Sequence, residues 1–263
     1  MTVLKEYFND AWLPVLQHNH LESFEALWEL NKDEWFEPPN YRRGGWSGVI
    51  RTSIALPEGG KVGVFIKRQE NHFFRSWRNL FRLTATFERE FRNILNFRKL
   101  GVPTLEPIYY CQKTVAGKLR AIVVTRELAG YQPFDAPCYK PINQLAKGRR
   151  RPLIARVAKT LRQMHDARLQ HNCLYLKHIF VKEEPGGATD VRLIDLEKAK
   201  WRPIRSIIAT RDLYSLYRCA GGWSRTDRLR FFLAYRDEDH LSVESKKLLR
   251  SIVKRLVDKK RRV

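Results

Sequence analysis

The sequence predicts an α+β fold in two parts, a small antiparallel sheet lobe followed by a larger helical lobe. Three observations carry this expectation. Up to about residue 128, β-branched alternation and turn residues dominate, with one strong helical period among them. An irregular connection rich in Pro, Gly and Tyr spans 129–150. Helical periodicity then prevails, broken only by two short apolar strands around a Pro-Gly-Gly turn. With 263 residues the chain is long enough for two such parts.

Residues 1–38 read as a helical N-terminal extension: Leu21, Phe24, Leu27 and Trp28 recur at helical spacing and Pro38-Pro39 close the segment. Residues 39–128 form the sheet lobe. Its first hairpin joins a strand over 49–56 to one over 61–68 through Pro57-Glu58-Gly59-Gly60, with Val62, Val64 and Ile66 on one face. A helix follows, marked by Phe87, Phe91, Ile94 and Leu95 and ended by Gly101-Val102-Pro103. Strands over 107–111 and 119–125 complete this part. Residues 129–263 form the helical lobe: a helix over about 152–167, short strands over 179–181 and 191–194, and helices from 206 onward.

Composition narrows the function classes. The net charge is +22, yet 43% of residues are hydrophobic and 12% aromatic. A disordered polycation would lack that apolar content. A chain this basic repels itself, so an anionic partner is implied: nucleic acid, a membrane surface or a phosphorylated substrate. Nucleic acid is the least favoured, because no zinc finger, helix-turn-helix or aromatic strand signature is present. Cys111, Cys138, Cys173 and Cys219 are irregularly spaced, which argues against a zinc site or a disulfide framework and for a reducing compartment. No secretory signal and no apolar run of membrane-spanning length are visible, so the expected location is the cytoplasm, at a membrane surface.

Four short motifs could carry chemistry. Arg43-Gly44-Gly45-Trp46-Ser47-Gly48 enters a strand, where glycines let backbone N–H groups approach a phosphate; they equally suit a hairpin turn. Lys67 ends the apolar strand Val64-Phe65-Ile66, on the face of Phe65. Glu90 lies on the next helix, with Glu88 as its rival for pairing with Lys67. A strand Lys that binds ATP phosphates and is held by a helix Glu is the kinase arrangement. The third motif is the loop His171-Asn172-Cys173-Leu174-Tyr175-Leu176-Lys177-His178. The fourth is Leu193-Ile194-Asp195-Leu196, an Asp at the end of a short strand, where a kinase-like fold holds magnesium. Their order along the chain says more than any one of them.

In that order the chain resembles the lipopolysaccharide kinase family, the Kdo and heptose kinases of the Kdo/WaaP group, and most closely its InaA-like branch. The resemblance covers roughly 40–240 and includes Val124-Thr125-Arg126-Glu127-Leu128, Arg211-Asp212-Leu213 and Thr226-Asp227-Arg228-Leu229-Arg230-Phe231. It implies a two-lobed protein-kinase-like fold using ATP and Mg2+ to phosphorylate a sugar hydroxyl of the lipopolysaccharide core or its lipid A-core precursor. Gly44, Gly45, Ser47, Gly48, Lys67, Glu90 and Glu127 would then contact or position the nucleotide, Glu127 at the inter-lobe hinge. Asp195 and His178 would hold the metal, and Asp212 would support the His171 loop. In one place the chain departs from the family. Members such as WaaP carry His-Arg-Asp, whose Asp receives the acceptor proton; here the triplet is His171-Asn172-Cys173, so Cys173 occupies the base position. The alternative implied is a nucleotide-binding pseudokinase with a regulatory or envelope-stress role.

A second basic feature is the run Phe73-Phe74-Arg75-Ser76-Trp77-Arg78-Asn79-Leu80-Phe81-Arg82. It reads as an amphipathic helix suited to an anionic membrane, or to packing its aromatics on the sheet. Arg149-Arg150-Arg151, Arg202, Arg205 and Lys259-Lys260-Arg261-Arg262 add positive surface, apt for the carboxylates and phosphates of the lipopolysaccharide inner core; the resemblance implies a peripheral location at the cytoplasmic face of the inner membrane.

Overall fold

The computed structural model describes residues 2–31, 33–42, 44–75 and 83–260. The chain divides into two compact units, Met1–Leu95 with Leu105–Ala129, and Asn96–Thr104 with Gly130–Val263.

In chain order the first unit holds β1 (Thr2–Phe8), α1 (Leu13–His18), α2 (Phe24–Glu29), β2 (Glu37–Arg42), β3 (Gly45–Ala55) and β4 (Lys61–Glu70). β5 (Phe73–Arg75), β6 (Leu83–Ala85) and α3 (Thr86–Lys99), which runs past Leu95 into the second unit, follow, then β7 (Pro107–Val115) and β8 (Lys118–Arg126). Six of the strands form one sheet in the order β1-β7-β8-β4-β3-β2. Every neighbouring pair is antiparallel.

Strand alternation sends successive side chains to opposite faces. Val64 and Ile66 of β4, with Ile50, Ile122 and Val124, bury against Trp12, Leu16, Phe24 and Leu27 from the N-terminal helices. On the other face, Tyr110, Ala121 and Val123 pack against Phe87 and Phe91 of α3. The sheet is thus covered on both sides, and Lys67 belongs by parity to the α3 side.

Three expectations are corrected here. The N-terminal segment is not helical throughout: Thr2–Phe8 is a strand at the sheet edge, with Tyr7 opposite Tyr110. Pro38-Pro39 do not close a helix but lie in β2, the other edge, where a missing N–H is tolerated; the register slips between Glu37 and Asn40. The run from Phe73 does not begin as a helix. Phe73–Arg75 pairs with Leu83–Ala85, and that ladder uses the backbone groups a helix would need. Residues 76–82 of that expected helix lie outside the described residues.

The N-terminal helices are fastened to the sheet by Arg68. Its buried guanidinium donates to the carbonyls of Leu27 (Nε 3.1 Å, Nη2 2.6 Å) and Leu30, the unsatisfied acceptors at the end of α2. Burial lowers its pKa to about 10, opposed by nearby Glu29.

The second unit contains β9 (Gln132–Pro133), α4 (Lys147–Asp166), β10 (Leu169–Gln170), β11 (Ile179–Glu183) and β12 (Thr189–Leu193). β13 (Lys200–Trp201), α5 (Arg205–Cys219), α6 (Arg225–Arg236) and α7 (Val243–Lys260) complete it. β12-β11-β9 form one small sheet and β10-β13 another. α4 packs on α6, and α5 on α7. α4 starts at Lys147 rather than near 152, with Pro152 inside it. Arg150 anchors the added turn, donating to the carbonyl of Asn143 at 2.5 Å and pairing with the fully buried Asp227 at 3.3 Å. Among the described residues no helix is long and apolar enough to cross a membrane.

Candidate active site

The residues singled out from the sequence fall in both units. In the first, Gly44 lies in the β2–β3 turn at φ +78°, and Gly45 opens β3 opposite Arg42. A Cβ on Gly45 would lie 2.4 Å from the Asn71 backbone, and one on Gly48 would lie 2.5 Å from the Trp35 ring. Close packing therefore accounts for these two glycines. Ser47 and Gly48 lie within β3, not in the loop. Arg43 is outside the described residues.

Lys67 Nζ donates to Glu90 Oε1 at 2.6 Å, across from β4 to α3. Glu88 turns elsewhere, to Lys5 at 3.4 Å and Arg92 at 3.9 Å. Residues two apart on a helix point to different sides, so only one of the pair can reach the sheet. Gln69, two positions beyond Lys67 and on the same face, accepts from Phe87 N–H at 2.9 Å and Thr86 Oγ1 at 2.8 Å. It satisfies an orphan donor in the first turn of α3 and so fixes the helix that presents Glu90. Glu127 follows β8. Its N–H donates to the Gly63 carbonyl at 2.9 Å, and its carboxylate accepts from Arg51 at 2.7 and 3.0 Å.

In the second unit, the fully buried Asp212 of α5 organises the 171–178 loop. Its carboxylate accepts from the backbone N–H of His171 at 2.7 Å and of Asn172 at 3.0 Å. His165 of α4 lies 3.3 Å from the same carboxylate and 2.8 Å from the Tyr235 hydroxyl of α6, tying three helices together. Asn172 takes a left-handed φ of 64° and donates its amide to the Lys198 carbonyl at 2.7 Å. His171 is buried, with Nε2 2.9 Å from the Ile194 carbonyl. Burial lowers its pKa, outweighing the opposing pull of Asp212.

Cys173 is only 8% exposed. Burial raises its thiol pKa, against the adjacent Lys198 ammonium, which favours the thiolate. The Cys173 carbonyl lies 2.8 Å from His178 Nδ1, a geometry for N–H donation from that nitrogen. His178 Nε2 then faces Asp195 Oδ2 at 3.3 Å. The Asp195 side chain is 45% exposed, and the residue is left-handed at φ 58°. Its position is set from behind. Thr104 Oγ1 donates to the Leu193 carbonyl at 2.6 Å, Leu193 N–H to Pro103 at 3.1 Å, and Ile194 N–H to His178 at 3.1 Å.

Could this arrangement hold a divalent cation? Among the described residues no three His, Cys, Asp or Glu side chains gather as a complete metal site. Asp195 and His178 offer two converging donors. Magnesium commonly takes one or two carboxylates and completes its shell with water and substrate phosphate. The pair fits that partial role, with the imidazole the softer of the two donors.

Two residues escaped the sequence reading. Gln69 was within reach, because strand parity places it beside Lys67. Lys198 follows Asp195 by three positions, across a single 3-10 turn (Leu196–Lys198), but that turn has no periodic signal.

The fold is protein-kinase-like. Over 98% of its length it superimposes on 98% of the structure of WaaP in complex with acyl carrier protein, with a TM-score of 0.66 and 20% identity, a likeness that establishes the fold. Protein InaA of Escherichia coli (strain K12) is 30% identical over 190 residues, covering 72% of this chain and 84% of that protein. The profile of the lipopolysaccharide kinase (Kdo/WaaP) family matches residues 25–235. The chain belongs to that family.

Proposed function

We propose that this protein is an ATP-dependent kinase that phosphorylates a sugar hydroxyl, on heptose or Kdo, of the lipopolysaccharide inner core at the cytoplasmic face of the inner membrane. The observation that carries this reading is the 2.6 Å Lys67–Glu90 ion pair in a chain of the lipopolysaccharide kinase family. Bound ATP would supply the γ-phosphoryl group, and a divalent cation held by Asp195 and His178 would neutralise charge on its phosphates. Lys67, held by Glu90, binds the α/β-phosphates. Asp212 fixes the backbone of the loop bearing Cys173, the residue nearest in role to a base. Phosphoryl transfer depends mostly on positioning and electrostatics, so a weak base slows the reaction without removing its main source of rate.

A second reading, a nucleotide-binding pseudokinase, is favoured by one observation: the buried Cys173 thiol has its pKa raised. A neutral thiol orients a hydroxyl poorly. Mass analysis of core phosphorylation in cells lacking the protein, complemented with wild type or Asp195→Ala, decides between them. The kinase reading expects a phosphate lost in the deletion and restored by wild type alone. Restoration by both, or no change on deletion, contradicts it.

A further inference from the structure

The strongest apolar exposure in the second unit lies just beyond Asp195. Trp201 is 62% exposed, Ile204 52% and Ile207 42%. Among the described residues no other stretch this short exposes three large apolar side chains. The segment is held in place. Trp201 of β13 pairs with Leu169 of β10, Arg202 N–H donates to the Arg168 carbonyl at 2.9 Å, and Arg205 pairs with Asp166 at 2.6 Å. Ile204 and Ile207 are three apart at the start of α5, a spacing that puts them on one side.

The surrounding charge is mainly positive, with Asp166 paired to Arg205. From 196 to 211 the only carboxylate is Glu197, against Lys198, Lys200, Arg202, Arg205 and Arg211. A nucleic acid would satisfy the cations but leave two isoleucines in water. A bilayer interface takes both: Trp and Ile enter the headgroup boundary while Lys and Arg meet anionic lipid.

We propose that Trp201, Ile204 and Ile207, with Lys200 and Arg202 around them, dock this unit on an anionic phospholipid bilayer. Only the further point, that docking brings Asp195 toward a lipid-anchored acceptor, rests on the kinase reading. The experiment is cosedimentation of the full chain with phosphatidylcholine vesicles, with and without phosphatidylglycerol, in the absence of nucleotide. Wild type is expected to bind the anionic vesicles preferentially and to weaken as salt rises. The triple variant Trp201→Ala, Ile204→Ala, Ile207→Ala should bind at least about tenfold more weakly. Lys200→Ala and Arg202→Ala should each lose about fivefold. Leu229→Ala, an exposed apolar change on α6, should bind as wild type does. If the triple variant is poorly folded, Trp201→Phe serves instead: it should abolish the vesicle-induced blue shift of tryptophan emission. The proposal is overturned if the variants bind as wild type does, if neutral vesicles are bound equally well, or if no vesicle is bound. No readout involves phosphoryl transfer, so either proposal can fail alone.

Discussion

The region built on β4 and α3 and the region built on the 171–178 loop and Asp195 are both firmly braced, but they present different chemistry. In the first, a strand lysine meets a helix glutamate at 2.6 Å, and the same strand fastens the helix through Gln69. In the second, Asp212 braces the loop with two backbone hydrogen bonds, and the loop carries a buried thiol, Cys173, which the proposed kinase reading puts at the base position. On the proposed reading, the contrast teaches that a scaffold can persist while the group it positions is replaced, so intact geometry alone does not measure catalytic power.

The largest expected effect tests the intact region. Lys67→Ala should lower phosphoryl transfer by on the order of 10³, because one preorganised charge contact is typically worth 10²–10³, and should also lower thermal stability, because the Glu90 carboxylate, only 4% exposed, loses its Lys67 partner. Next comes the altered region. Cys173→Asp should raise turnover by roughly 10², the lower end of what a positioned base contributes. An unchanged rate would mean that the thiol position is not the one that matters. Asp212→Ala leaves two buried N–H groups unpaired and should destabilise the protein by about 3 kcal/mol, measured by denaturant unfolding. Gly45→Ala, which forces a Cβ against the Asn71 backbone, should cost about 2 kcal/mol. The same result would explain this glycine without invoking a phosphate.

The smallest effect is a pH dependence at a residue that belongs to neither region. Glu238 is held at about 2, below its ordinary 4.5, by the Ser245 hydroxyl, with burial opposing and Ser242 assisting. Its carboxyl binds a proton more weakly in the folded state than in the unfolded one. Its stabilisation is therefore full above pH 4.5 and is lost as pH falls from 4.5 towards 2. Melting temperatures of wild type and Glu238→Gln should differ at neutral pH and converge at the acid end of that window.

The β3–β4 hairpin, α3 and the strand leading to Asp195 were legible because each carries its own local period or turn residues. β1 was not, because its partner β7 lies some hundred residues away and nothing local distinguishes Thr2–Phe8 from a helix start. Pro38 and Pro39 misled for a related reason: their tolerance depends on β2 being an edge strand, a property of the whole sheet. The choice between Glu88 and Glu90 also needed the helix's orientation, which Gln69 and Phe91 help set from outside the helix's own pattern.

The central claim is that the Lys67–Glu90 pair serves a nucleotide phosphate. Thermal-shift titration with ATP, with and without magnesium, on wild type and Lys67→Ala tests it most directly. The expected result is magnesium-dependent stabilisation of wild type that Lys67→Ala loses. Equal stabilisation of both proteins, or no response of wild type to nucleotide, would contradict it.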